Sequence, residues 1–315
     1  MDLRQLEAFA AVMTAGSITG AGQMLGRSQP AVTRSIQDLE QELGLKLFER
    51  SGPKVTPTTQ AFALRAEVES TLAGARQILQ RAQHIAHDDT REITLGATPA
   101  LAAGLIPAAL ARLPKTLLPR QVHLRSMLAE QVVQAALAKT LDIGVVSLPL
   151  EHKGLHIHWI GEASCVAVLA ETSPLAAHPM LGLDQLLHET VITLSNPYRL
   201  RGRIDTAFSE MGGQAHHLLE TNASLNAVQM ARAGLGVALV DPVTALGIPM
   251  QGVVVRPLTQ HIAFFFGLVS QVAHEQTAAG KALISALQET AEAILPNFVL
   301  HPPSQHDTLL QRLYR

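Results

Sequence analysis

Between residues 58 and 87 the chain runs for about thirty residues without a proline, and Ala61, Leu64, Val68, Thr71, Ala75, Ile78, Ala82 and Ile85 recur three and four apart along it. That spacing places them on one stripe of an α-helix, a heptad seam about four heptads long. Leu72 and Leu79 widen the stripe, while Thr71 and Gly74 weaken it. At about 1.5 Å per residue the rod is roughly 45 Å long. An apolar side on so long a helix needs a cover, so the seam predicts a dimer helix; the competing reading is a long core helix of one domain. Either way it divides the chain into a short N-terminal part and a long C-terminal part.

The short part is helical. Leu3, Leu6, Phe9, Ala10 and Met13 form one buried stripe, and Gly16 ends that helix. A second helix begins after Ser17 with Ala21, Met24 and Leu25 inward. Gly20 and Gly22 interrupt it, each at a cost of about 0.5–1 kcal/mol against alanine, so this helix is expected to be the weakest. Gly26 and Arg27 turn the chain, and a third helix starts at Ser28 as N-cap, with Pro30 in the first turn and Val32, Ile36 and Leu39 buried. Two helices joined by so short a turn form a helix-turn-helix. Leu47 and Phe48 are expected to pack on it, and Ser51-Gly52-Pro53-Lys54-Val55-Thr56-Pro57 reads as a hairpin wing with a basic tip.

The long part alternates. Strands are expected at 93–98, 122–127, 143–146, 165–169, 191–194 and 237–240, with an apolar run at 263–269. Helices are expected through 113, over 131–138, 204–211 and 223–233, and over 277–295, where Pro296 stops the last one. Alternation of this kind predicts parallel sheets with crossover helices, here in two lobes. The length of 315 residues agrees with about two domains. A formal charge of −2 excludes a uniformly basic nucleic-acid coat, though not a small DNA-reading domain on a neutral body. The single cysteine, Cys165, excludes an internal disulfide and a cysteine-cluster zinc site. No run reaches the roughly 18 apolar residues of a membrane span, and Asp2, Arg4 and Glu7 do not read as a signal peptide, so a cytoplasmic protein without membrane contact is expected.

The N-terminal residues resemble the LysR-type transcriptional regulators. The resemblance rests on Leu3-Arg4-Gln5-Leu6 through Phe9, Ser17-Ile18-Thr19 with Ala21 and Leu25, Ser28-Gln29-Pro30-Ala31-Val32-Thr33, Ile36 through Leu39-Glu40, Leu43-Gly44, Leu47-Phe48-Glu49-Arg50 and Thr56-Pro57-Thr58. Further on, Leu141-Asp142-Ile143 and Ala233-Gly234-Leu235-Gly236-Val237 are similar to the effector domain of the same family. Two departures stand out: Gly20 and Gly22 in the second helix, and Met127-Leu128-Ala129 where many relatives carry a glycine-containing loop. The resemblance implies an α/β fold with an N-terminal winged helix-turn-helix, a long linker helix and two Rossmann-like α/β lobes similar to periplasmic binding proteins. It divides the chain into 1–58 for DNA binding, 59–89 as dimerisation helix, 90–162 with 268–295 as lobe 1, 163–267 as lobe 2, and 296–315 as a tail. It implies promoter DNA, a small-molecule effector and further copies of the chain (a dimer through the linker helix, then a tetramer) as partners, with RNA polymerase a further one.

On the third helix Gln29, Thr33, Arg34 and Gln37 lie opposite the buried stripe. Glutamine can read adenine and arginine guanine, each through two hydrogen bonds. The expected DNA-binding set is Ser28, Gln29, Pro30, Thr33, Arg34 and Gln37, with Arg50, Ser51 and Lys54 of the wing on the backbone or minor groove. Residues 1–58 carry six basic and six acidic side chains, so a DNA face must come from segregation of charge. Ligand sites of such folds lie at strand ends and helix N-termini. Thr98, Pro99, Ala100, Leu101, Met127 and Ala129 in lobe 1, with Ser195, Asn196, Thr221, Asn222 and Ser224 in lobe 2, form the expected effector set, for a carboxylate-bearing or amino-acid-like metabolite. The basic run Arg199, Arg201 and Arg203 reads as solvated surface with a weaker claim on an anion; His156, His158 and His216-His217 lack the companions of a metal set. No catalytic constellation and no cofactor motif is found, so an enzyme is not expected. The alternatives are a small-molecule-binding protein or an enzyme of periplasmic-binding-protein fold with an accessory helix-turn-helix.

Overall fold

The computed structural model describes residues 1–51, 54–87, 92–148, 154–215, 217–272, 276–306 and 308–309; at 50, 51, 54, 76, 77, 79–87 and 217 it describes the main chain only. The chain divides into two compact units, Met1–Asp89 and Thr90–Arg315.

The first unit opens with α1 (Leu3–Ala15), capped by Asp2 and Gln5: Gln5 N donates to Asp2 Oδ1 at 2.8 Å and Asp2 N to Gln5 Oε1 at 2.7 Å. Gly16, at φ 63°, ends it in the left-handed region. Ser17 caps α2 (Ile18–Leu25), and Gly26 at φ 62° leads to α3 (Gln29–Leu43). The expected weakness of α2 has another side. Gly22 is buried, and a Cβ there would lie 2.8 Å from the Arg27 main-chain oxygen, so this glycine is what lets the turn fold back onto the helix. β1 (Phe48–Ser51) and β2 (Lys54–Pro57) pair antiparallel from Phe48↔Pro57 to Ser51↔Lys54. α4 (Thr59–His87) follows.

One core unites these elements: Leu6, Phe9, Val12, Ala21, Val32, Ile36, Leu39, Leu47, Phe48 and, from α4, Ala61, Val68 and Leu72. Four expected inward residues are exposed. Leu3 is 48% and Met24 60% exposed, and on α4 Ile78 is 72% exposed. Thr71 is also exposed. The seam's Leu79, Ala82 and Ile85 side chains, and the turn residues Gly52 and Pro53, lie outside the described residues.

The second unit contains, in chain order, β3 (Glu92–Ala97), α5 (Pro99–Gly104), α6 (Ile106–Arg112), β4 (Gln121–Ser126), α7 (Ala129–Leu137), β5 (Ile143–Ser147), β6 (Leu155–Ser164), β7 (Val166–Ala170), α8 (Leu183–Leu186), β8 (Thr190–Leu194), α9 (Leu200–Glu210), β9 (His217–Thr221), α10 (Ser224–Arg232), β10 (Val237–Val240), α11 (Pro242–Gly247), β11 (Val253–Pro257), β12 (Ala263–Gln271), α12 (Ala278–Ile294) and β13 (Val299–His301). They build a six-stranded sheet of order β13-β6-β12-β5-β3-β4 and a five-stranded sheet of order β11-β7-β10-β8-β9. β3 runs parallel to β4 and β5, and β8 parallel to β9 and β10; the strands that join the sheets, β6, β7 and β12, pair antiparallel. The chain crosses between the sheets twice, side by side, with Cys165 N donating to Ile262 O at 2.8 Å.

The lobe limits differ from those expected. β12 is one continuous strand of the six-stranded sheet from Ala263 onward, so 263–267 belong with lobe 1 and not lobe 2. The expected tail also joins lobe 1. β13 pairs with β6 from Val299↔Glu162 to His301↔Ile160, and Leu309 is buried among Val132, Leu141, Val146 and Phe265. His301 Nε2 and His261 Nε2 meet the two oxygens of Glu162 at 2.7 and 2.8 Å, pinning that segment. Leu310 and Leu313 lie outside the described residues. The lobes also touch through helices: a Cβ on Gly247 of α11 would lie 2.2 Å from the Gly104 main-chain oxygen of α5.

Candidate functional site

α3 buries Val32, Ile36 and Leu39 and turns the other side outward. Ser28, Gln29, Pro30, Arg34 and Gln37 are exposed and Thr33 is half-buried. Ser28 stands at the N-cap position, but its side chain makes no capping bond, which corrects the expectation of a cap. Arg34 is 85% exposed and only 4.0 Å from Asp38, a pairing too open and too distant to occupy it. Arg50, Ser51 and Lys54 lie on the two strands of the wing; their side chains are outside the described residues.

The acidic residues of this unit are largely engaged elsewhere. Asp2 caps α1, and Glu7 accepts from Arg27 at 2.6 Å. Glu42 pairs with the N-terminal ammonium and takes a bond from Gln5. Glu40 Oε1 accepts from Leu47 N at 2.7 Å and Phe48 N at 2.9 Å, and so fixes the start of the wing to α3. Glu40 was visible in the sequence only as part of a pattern; its role needed the fold. Residues 1–58, neutral in sum, thereby keep polar groups and Arg34 on the outer side of α3.

In lobe 1 the expected effector residues follow the ends of neighbouring parallel strands. Thr98 N donates to Val145 O at 3.1 Å and Met127 N to Ala97 O at 2.9 Å, which brings Thr98 and Met127 into adjacent positions. Thr98 is 9% exposed with no capping bond from its hydroxyl, Pro99 is exposed and Ala100 half-buried. Leu101 at 0% and Ala129 at 4% are buried, so they offer main chain rather than side chain at these helix starts. In lobe 2, Ser195 N donates to Thr221 O at 2.9 Å. Ser195, Asn196 and Asn222 are exposed, and Asn196 Oδ1 accepts from Tyr198 N at 3.0 Å. Thr221 and Ser224 are buried and bonded within the lobe, Ser224 Oγ to Asp241 Oδ2 at 2.5 Å.

The basic run is not solvated surface. Arg199 Nη1 donates to Ser147 O at 2.7 Å and Ser147 Oγ at 3.1 Å, and Nη2 to Glu130 Oε1 at 2.8 Å, so it spans from lobe 2 to the end of β5 and the first turn of α7. The Glu130 main chain, then the Arg199 guanidinium, holds the Glu130 carboxyl below its usual range. Arg203 donates to Ala263 O at 2.8 Å and lies over the Phe265 ring at 5.3 Å. Arg201 stays within lobe 2, bonded to Asp205 and Glu220.

Two buried polar groups escaped the sequence. Asp241, 2% exposed, caps α11 through Thr244 N at 2.7 Å and takes hydroxyl bonds from Ser224 and Thr244. Burial pushes its carboxyl up, against the pull of those bonds. Thr193, on β8 two residues before Ser195, is fully buried, and its hydroxyl has no partner among the described residues. Among the described residues no cluster of three or more His, Cys, Asp or Glu is placed to hold a metal ion, and no helix is long and apolar enough to cross a membrane.

Comparison with known proteins agrees with this architecture. Residues 3–61 match the family model described as bacterial regulatory helix-turn-helix protein, lysR family, and residues 86–292 match the LysR substrate binding domain. The chain is 31% identical over 303 residues to the transcriptional activator protein LysR of Escherichia coli, covering 95% of each. It is 32% identical over 254 residues to the octopine catabolism/uptake operon regulatory protein OccR of Rhizobium meliloti, covering 78% of this chain and 82% of that one. The fold superposes on full-length CbnR, a LysR family transcriptional regulator, with a TM-score of 0.72 at 20% identity over 92% of this chain and 99% of that one, and on CbnR complexed with target DNA with a TM-score of 0.71. A winged helix-turn-helix with an open outer face, followed by two bridged α/β lobes, in this order and over nearly the whole length, makes the chain a member of the LysR family of transcriptional regulators.

Proposed function

We propose that α3 and the β1–β2 wing bind promoter DNA, and that a small effector held between the two lobes changes this binding. The observation that carries the first half is the outer side of α3, where Gln29, Pro30, Arg34 and Gln37 stand exposed while Asp2, Glu7, Glu40 and Glu42 are engaged elsewhere. Gln29 and Arg34 read base edges, Thr33 a thymine methyl or a phosphate, Ser28 and the wing residues Arg50, Ser51 and Lys54 the backbone. The second half is supported by Thr98, Met127, Ser195 and Asn222 at strand ends and helix starts of the two lobes, and by the likeness to a regulator named for an octopine operon. A carboxylate-bearing or amino-acid-like metabolite is the class this reading favours. Dimerisation through α4, and pairing of dimers, would place two reading heads on half-sites about one or more helical turns apart, roughly 34 Å per turn. Cytoplasmic location follows from the same reading.

The experiment is promoter binding by Gln29→Ala plus Arg34→Ala, read by fluorescence anisotropy beside far-UV circular dichroism. Each lost base contact costs about 1–3 kcal/mol, and wild-type affinity falls steeply with salt because phosphate contacts release counterions. Unchanged affinity in a folded double variant, or affinity indifferent to salt, overturns the reading.

A further inference from the structure

β6 does not pair evenly with β12. Trp159 stands opposite Leu268 and Ile157 opposite Val269, so His158 is the extra residue of a β-bulge. A bulge breaks the alternation of faces and re-aims a side chain. Ile157 and Ile160 both pack toward the cluster that contains Leu141 and Leu309. His156, His158 and Trp159 are left together on the side of α12, where Trp159 Nε1 donates to Ile284 O at 3.4 Å. The two imidazoles meet edge to face with ring centroids 4.7 Å apart. They line one open cavity of about 380 Å³ with Val272, Gln276, Lys281 and Ile284.

Among its described lining residues the fixed charge of this cavity is positive. His158 meets Ser270 Oγ at 2.9 Å, and Gln276 Nε2 is fixed on Asp142 O at 3.1 Å. Among the described residues Lys281 has no carboxylate partner and the cavity lining contains no acid. Burial, then the neighbouring His156, holds the His158 imidazole down at about 4, so it is neutral at pH 7 and the cavity's charge is that of Lys281. Among the described residues, the titratable groups facing His158 are His156 on its own strand and Lys281 on α12; Ser270 of β12 adds none. The Lys281 ammonium, with no counter-charge among the described residues, disfavours a cation and suits an anion, to which each neutral imidazole can offer an N–H. Val272 and Ile284 supply an apolar wall, and the volume falls in the range of small-molecule sites.

We infer that this cavity is a second ligand site, separate from the space between the lobes, for a small organic anion. Its carboxylate or phosphoryl group sits on Lys281 and the His156–His158 pair, and its apolar part on Val272 and Ile284. The inference does not depend on the DNA-binding or effector reading above.

The test is calorimetric titration of the full chain with butyrate, inorganic phosphate, butylammonium and zinc. Wild type, Lys281→Ala, Lys281→Arg and His156→Ala are compared, with deuterium exchange at the imidazole C2 read by mass spectrometry. One of the two anions binds saturably, about tenfold more weakly in Lys281→Ala and near wild type in Lys281→Arg. Bound anion stabilises the imidazolium, so the His158 half-titration point moves up from about 4. Tighter binding of phosphate assigns a phosphoryl ligand, and tighter binding of butyrate a carboxylate. Neither anion binding at roughly 10 mM, indifference to Lys281, or binding of butylammonium or zinc instead overturns the inference.

Discussion

Arg199 Nη1 donates to the main-chain oxygen of Ser147 at 2.7 Å, a bond that joins residues 52 positions apart and ties one lobe of the C-terminal unit to the other. The same side chain is 19% exposed, whereas its carboxylate partner Glu130 is 68% exposed. The two contacts therefore differ in weight: a screened ion pair contributes up to about 1 kcal/mol, and a charge-assisted bond to a shielded carbonyl about 1.5–3 kcal/mol. Arg199→Ala should lower unfolding stability by about 2 kcal/mol, and Glu130→Gln by less than about 1 kcal/mol. Urea denaturation of both variants checks the order; an equal loss would place the main contact at Glu130 instead.

Asp241 gives a pH-dependent expectation. Burial raises its carboxyl, the bonds from Ser224 and Thr244 oppose this, and the net shift is upward. The folded state then holds the proton more tightly than the unfolded chain, so this group's contribution is complete below the ordinary aspartate value and is lost as pH rises through the raised one. Asp241→Asn removes that slope, and its stability relative to wild type should improve with rising pH. Asp241→Ala strips the cap of α11 and leaves the buried donors unpaired, a loss of about 2–4 kcal/mol at pH 7. Thermal unfolding from pH 4 to 8 distinguishes the two variants.

Thr193→Val should stabilise the protein by about 1 kcal/mol, because it replaces a buried hydroxyl without a partner by a methyl of the same shape. A lower melting temperature in this variant would mean that the hydroxyl is satisfied.

Three glycines in helices should respond in opposite directions. Gly74→Ala on α4 meets nothing within 4 Å and should gain about 0.5–1 kcal/mol. Gly22→Ala drives a methyl against the Arg27 carbonyl and should lose about 1–3 kcal/mol. Gly20→Ala crowds Ser17 Oγ, the cap of its own helix, at 2.9 Å and should also lose stability. Chemical denaturation of the three single variants reads all of these effects.

These cases show what the sequence carries. Local patterns were legible: the stripe Val32, Ile36, Leu39, the glycines after α1 and α2, the strand ends at Thr98 and Ser195. β6 was not expected as a strand, because His156, His158 and Glu162 interrupt its apolar run and the bulge breaks its period. β9 is an edge strand with Leu218 and Leu219 both partly exposed, so it shows no inside–outside alternation. Leu101 and Ala129 have buried side chains, since the first turn of a helix has one buried flank that a list of helix-start residues does not distinguish. Arg199 contacts Ser147 and Glu130 across 52 and 69 residues, a distance no periodicity spans. The two glycines of α2 looked like a weakness, and only the position of the Arg27 carbonyl showed that Gly22 is a clearance.

The meeting of Gly104 with Gly247 places main chain directly on main chain between α5 and α11. A side chain yields to pressure by changing rotamer, and a helix backbone does not. The pair is thus a hard stop: the lobes cannot be squeezed closer together at that point. A shim one methyl thick at either glycine would wedge the two helices apart.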